Sequence, residues 1–113
     1  MDDIFCKIIN GEIPAQTDYR DKDFIVIHDI HPQAPVHLLI IPIKHFTGIE
    51  DFTDGTTSIL GKALQLADRI AHEKGLQGYR LIINEGPDGG KVVPHLHIHL
   101  LGGKHLGPKI VQN

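Results

Sequence analysis

Apolar positions along the chain change their spacing several times, and each spacing predicts an element. Ile4, Phe5, Ile8 and Ile9 recur at helical spacing, predicting a short helix over residues 4–10 that Asn10-Gly11 and Pro14 end. Two short runs, 15–20 and 24–28, flank Asp21-Lys22-Asp23 and read as a hairpin with a polar turn. Two prolines make 29–35 a loop. The apolar run Val36 to Ile41 reads as a buried strand ending near Pro42. Residues 44–54 are loop-like. Over 56–74, Ile59, Leu60, Ala63, Leu64, Ala67, Ile70 and Ala71 follow the rhythm of an amphipathic helix, with Thr53 or Asp54 to cap its start and Lys74-Gly75 to end it. A strand over 79–84, a glycine-rich loop over 86–90 and a last strand over 92–101 complete the pattern. Pro94 interrupts that last strand locally, and Gly102-Gly103 ends it. Five short strands, one long helix and one short N-terminal helix, mostly in hairpin order, predict an α+β fold on an antiparallel sheet.

A chain of 113 residues is one domain's worth, so residues 1–113 are read as a single domain. The balance of 11 Lys and Arg against 14 Asp and Glu gives a net charge of −3, with no basic stripe. That argues against nucleic acid as a partner, although one pocket in an acidic protein can still be locally positive. The single cysteine, Cys6, excludes an intramolecular disulfide and suits a reducing compartment. Met1-Asp2-Asp3 lacks the basic start of a signal peptide, and the apolar stretch Leu38 to Ile43 is far too short to cross a bilayer. The expectation is a soluble, cytoplasmic protein that does not meet a membrane.

Histidine is what stands out, at nine residues dispersed through the interior of the chain. His95-Leu96-His97-Ile98-His99-Leu100-Leu101 alternates imidazole with aliphatic. In a strand this places three imidazoles on one face, roughly 7 Å apart, and Leu96, Ile98 and Leu100 on the other. Packing under the long helix accounts for the aliphatic face. Three readings fit the imidazole face. It is an incidental polar face, a metal site with a ligand from elsewhere, or a nucleophilic site in which one imidazole attacks phosphorus and its neighbours orient it. His95 and His99 lie roughly 13 Å apart along such a strand, which makes one ion shared by all three awkward. The loop Gly86-Pro87-Asp88-Gly89-Gly90 just before it favours the last reading, because glycine-rich backbone can turn N–H groups toward phosphate oxygens.

The string His95 to Leu101 resembles the histidine-triad signature, His-φ-His-φ-His-φ-φ with φ apolar. The resemblance covers nearly the whole chain. IFCKIINGEIP at 4–14, HDIHPQAPVHLLIIPIKH at 28–45, GYRLIINEGPDGG at 78–90 and HLHIHLLGG at 95–103 are similar to the Hint branch of the histidine triad (HIT) family. The resemblance implies a HIT-like fold and a purine nucleoside phosphoramidase. It also implies a homodimer joined through the long helix and the strand at 79–84, and purine nucleotides (AMP or GMP and their phosphoramidates) as partners. Dinucleoside polyphosphate hydrolysis, or nucleotide binding with little turnover, are the other activities the family offers. His97 would be the nucleophile and carry a covalent nucleotide. His99 would contact the phosphate or the leaving group, and His95 would orient His97 with support from His37. Asp29 would accept from the ribose hydroxyls, although a turn-capping Asp explains it equally well. Phe5, Ile8, Ile27 and Ile30 would line the base pocket, and Asn84, Gly90 and Val92 would lie near the phosphate.

The resemblance is incomplete at two positions beside the triad. Many Hint proteins carry a polar residue in place of Val92 and a tyrosine in place of Pro94, so their leaving-group preference does not carry over. Some bacterial relatives hold a structural zinc on two cysteines and two histidines. Cys6, His45 and His95 match that set, but Asp3 stands where the first cysteine would be. With the thiolate pair gone, the expectation is no metal and no cofactor.

Overall fold

The computed structural model describes residues 2–110. Its elements are α1 (Ile4–Ile9), β1 (Thr17–Arg20), β2 (Phe24–His28), β3 (Val36–Pro42), a single 3-10 turn at Ile49–Asp51, α2 (Thr57–Glu73), β4 (Tyr79–Ile82) and β5 (Ile98–Gly102). The strands form one antiparallel sheet in the order β1-β2-β3-β5-β4.

Local chemistry accounts for the boundaries. Asp3 caps α1, its Oδ1 accepting from the Cys6 N–H at 2.8 Å. Asp21 Oδ1 makes the β1–β2 turn by accepting from the Asp23 and Phe24 N–H groups, both at 2.8 Å. Thr56, rather than Thr53 or Asp54, stands at the N-cap of α2. The Thr53 carbonyl holds that turn instead, accepting from the Thr57 N–H at 2.8 Å and the Thr57 hydroxyl at 2.6 Å. Gly75 ends α2 at φ 70°, a left-handed position that glycine occupies without strain.

Both faces of the sheet centre are covered, which is why β2 and β3 read as continuous apolar runs rather than alternations. On one face α2 lays Ala63, Leu66, Ala67, Ile70 and Ala71 against Phe24, Val26, Leu38, Ile40, Ile98 and Leu100. On the other, Phe5 of α1 packs with Ile25, Ile27, Leu39 and Ile41. Strand alternation therefore puts His37 and His99 on the α1 side, away from the long helix.

The last strand is shorter than its pattern predicts. It starts at Ile98, not at residue 92, because the register with β3 ends at the pair Ile40–Ile98. Upstream, Pro94 has no N–H to give a ladder. The chain instead turns tightly, with the His95 N–H on Val93 O at 2.8 Å and the Leu96 N–H on Phe46 O at 2.7 Å. Only His99 of the triad therefore lies in a strand, and His95 and His97 lie in an irregular segment leading into it. Among the described residues no helix is long and apolar enough to cross a membrane.

Candidate active site

His97 is fixed by backbone. Its Nδ1 lies 2.8 Å from the His95 carbonyl oxygen. A carbonyl only accepts, so Nδ1 carries the proton and Nε2 keeps a free lone pair. The Phe5 ring meets the imidazole edge-on at 4.9 Å between centroids, and the His99 ring lies at 5.2 Å. Burial pushes the His97 pKa below its ordinary 6.5, and the nearby His95 and Lys91 add to this; the His95 carbonyl and Asp29 pull the other way.

A chain of hydrogen bonds sets the tautomer of His99. The Gln33 N–H donates to His37 Nδ1 at 3.0 Å, so the His37 proton sits on Nε2. That N–H donates to His99 Nδ1 at 2.9 Å, with Asp29 Oδ2 also 3.4 Å from it. His99 is left with its own proton on Nε2, facing outward as a donor. Burial, then the neighbouring His97 and His37, lower its pKa to about 4. His37 and His99 meet because they are diagonal neighbours across the β3–β5 ladder, where His37 pairs with Leu101 and His99 with Leu39.

His95 plays a different part from the one its spacing predicts. Its carbonyl, not its imidazole, faces His97, and His37 supports His99 rather than His95. The His95 ring is fully buried. Its Nε2 faces the Pro42 carbonyl at 3.0 Å and its Nδ1 faces Asp3 Oδ2 at 3.2 Å. His45 Nε2 shares that carboxylate oxygen at 3.1 Å, and Cys6 Sγ lies 3.6 Å from His95 Nδ1. Burial works to raise the Asp3 pKa, but the Cys6 N–H and the His95 charge hold it below its ordinary 3.8, while burial raises the Cys6 thiol.

One ligand atom from each of Asp3, Cys6, His45 and His95 lies within 4.8 Å of the others. A carboxylate oxygen, a sulfur and two imidazole nitrogens are donors that zinc accepts. Zinc held there would cross-link α1 to the histidine segment, with all four ligands from protein and no position open for substrate. Asp3 Oδ2 already ties both imidazoles together by hydrogen bonds, so the carboxylate that replaces the expected cysteine is integrated into the cluster.

The remaining candidates fall into three places. Phe5, Ile8 and Ile27 belong to one apolar cluster beside His97, whereas Ile30 is outside it and 83% exposed. Asp29 caps a turn, its Oδ1 accepting from the His31 N–H at 2.8 Å, while Oδ2 faces His37. Asn84 braces the glycine loop, donating from Nδ2 to Gly89 O at 2.8 Å. The Gly90 N–H closes the loop on Pro87 O, and the Lys91 N–H closes it on Gly86 O, each at 3.1 Å. Any donor the loop offers a phosphate therefore comes from its other N–H groups. Val92 is 88% exposed at the loop's exit. Sequence reasoning passed over Gln33, Lys91 and Glu85, whose roles depend on contacts with distant backbone.

On the α1 side of a five-stranded antiparallel sheet, His97 thus offers an unpaired Nε2 lone pair beside the Nε2 proton of His99. The HIT domain model matches residues 10–106, and the chain belongs to the HIT family. An uncharacterized HIT-like protein of Chlamydia muridarum is 47% identical over 95% of this chain and 86% of its own. A solved HIT family hydrolase of Clostridium thermocellum superposes with a TM-score of 0.91 at 44% identity, covering 97% of both chains. A 14 kDa zinc-binding protein of Zea mays is 45% identical over 91% of this chain and 83% of its own.

Proposed function

We propose that this chain is a hydrolase of purine nucleoside 5′-phosphoramidates that works through a covalent nucleotide on His97. The observation that carries the reading is the His97 Nδ1–H bond to the His95 carbonyl, which aims a free Nε2 lone pair outward. In the first step Nε2 attacks the α-phosphorus, the P–N bond breaks, and the amine leaves with a proton from water. The adduct retains the Nδ1 proton, so the phosphorylated imidazole is cationic and a good leaving group. The His95 carbonyl stabilises that charge. In the second step water attacks phosphorus and gives up a proton to solvent, which restores the one taken in the first step; the P–Nε2 bond breaks with its electron pair returning to Nε2, and AMP leaves. His99 Nε2–H, with a loop N–H and the second Asn84 N–H, donates to the phosphoryl oxygens throughout. Asp29 accepts from the ribose, and Phe5, Ile8, Ile27 and the exposed Ile30 cover the base. Turnover of adenosine 5′-phosphoramidate by the purified protein tests this reading; AMP binding without turnover would assign it a nucleotide-binding role instead.

The pH profile follows from the same geometry. Attack needs unprotonated His97, whose pKa lies below 6.5. We expect kcat/KM to fall along an acid limb centred below pH 6.5, where acid protonates His97. An acid limb centred above 6.5 would contradict this.

The proposed assembly is a homodimer in a reducing compartment, the cytoplasm. β4 is an edge strand of the sheet, and Ile82 on it and Leu64 on α2 are 40% and 43% exposed. Light scattering at micromolar concentration should give twice the chain mass.

A further inference from the structure

An ion pair next to the proposed phosphate site ties its own loop to a segment far away in the chain. Lys91 and Glu85 stand at the two ends of the glycine loop, with Nζ 3.4 Å from Oε1 and side chains only 16% and 36% exposed. Each also reaches out of the loop to the backbone of residues 47–49. Lys91 Nζ donates to Thr47 O, and the Ile49 N–H donates to Glu85 Oε2 at 3.2 Å. Gly48 lies directly beneath the pair. A Cβ there would come to 2.5 Å from Glu85 Oε2 and 2.8 Å from Lys91 Nζ, so a side chain at 48 would push the ends of the pair aside.

The far end of this segment supports the nucleophile. The Phe46 carbonyl accepts from the Leu96 N–H at 2.7 Å, between His95 and His97. Phe46 is itself buried and stacked on Phe52, with ring centroids 4.0 Å apart. Residues 46–49 therefore form a strut. One end holds the histidine segment, and the other is gripped by the ion pair that closes the glycine loop. Lys91 Nζ thus spends two of its three N–H donors on these partners.

We infer that Glu85 and Lys91 are positioning residues, whose grip on Thr47 and Ile49 across Gly48 sets the glycine loop at its working distance from His97. The kinetic part of this inference rests on the phosphoramidase reading; the mechanical part does not. A mispositioned loop loses its hold on phosphate and leaves the nucleoside pocket untouched, which separates this role from a general loss of structure.

The test compares wild type with Lys91→Met, Glu85→Gln, Lys91→Arg and Gly48→Ala, with thermal melting to confirm folding. In Lys91→Met we expect AMP affinity and kcat each to fall about 10-fold while adenosine affinity is unchanged. The Gly90 and Lys91 amides, now protected inside the loop, should exchange hydrogen about 10-fold faster. Glu85→Gln and Gly48→Ala should move the same quantities in the same direction, and Lys91→Arg should restore most of the loss. If Lys91→Met fails to fold, Gly48→Ala carries the same comparison. A folded variant with wild-type AMP affinity and wild-type loop exchange overturns the inference, as does an equal loss of AMP and adenosine affinity. If the wild-type protein hydrolyses no phosphoramidate, the functional reading falls, and loop exchange alone decides whether the pair holds the loop.

Discussion

Replacing His97 with alanine should lower kcat/KM for adenosine 5′-phosphoramidate on the order of 10⁴-fold, about 5.5 kcal/mol of transition-state stabilisation. The loss is large because no neighbour can take over. His99 bears its proton on Nε2, and its Nδ1 lone pair is occupied by His37. Both ring nitrogens of His95 face acceptors in the interior, Asp3 and the Pro42 carbonyl. The substitution should leave the fold in place, since the His97 side chain is only half-buried and the ladder begins one residue later at Ile98. AMP should still bind. Stopped or quenched single-turnover kinetics would read the chemical step directly, and near-wild-type turnover in His97→Ala would refute the assignment.

His99→Ala should cost less, about 10²- to 10³-fold in kcat, the usual loss when one preorganised donor to a developing oxyanion is removed. The tautomer relay is the reason to expect so much from a neutral group. With a pKa of about 4, His99 stays uncharged through the working range, so its contribution is directional. The Gln33 N–H fixes His37, and His37 fixes the Nε2 proton of His99 toward substrate. His37→Ala should therefore give a smaller loss of the same kind, because His99 keeps its place but loses the partner that selects its tautomer. A kcat unchanged in His99→Ala would remove the donor role.

Much of this architecture is written in the local pattern. The α2 rhythm, the Asp21 turn, the continuous apolar runs of β2 and β3 and the aliphatic side of β5 all follow from short-range spacing and burial. The alternation at 95–101 is the instructive exception. It has the period of a strand throughout, yet pairing with β3 ends at Ile40–Ile98, although β3 itself runs on to Pro42. Pro94 was the visible warning, and its effect is to free His95 to turn inward while His97 keeps its outward aim. The different surroundings of the three histidines thus depend on pairing with a strand far upstream in the chain. Contacts that run through the backbone were not legible either. Gln33 acts through its N–H, His95 through its carbonyl, and Glu85 and Lys91 through Thr47 and Ile49. Each of these contacts has backbone on at least one side, so no pairing of side-chain types marks it in the sequence.

The central claim is that a bond forms between phosphorus and His97 Nε2. Acid-stable adducts are not expected of a phosphorylated imidazole, so the reaction should be stopped at high pH within one turnover and mapped by peptide mass spectrometry. The account predicts a nucleotidyl group on the peptide containing His97, on that residue, absent in His97→Ala and lost as AMP is released. A nucleotidyl group on another residue, or full turnover with no protein-bound nucleotide at any time point, would contradict it.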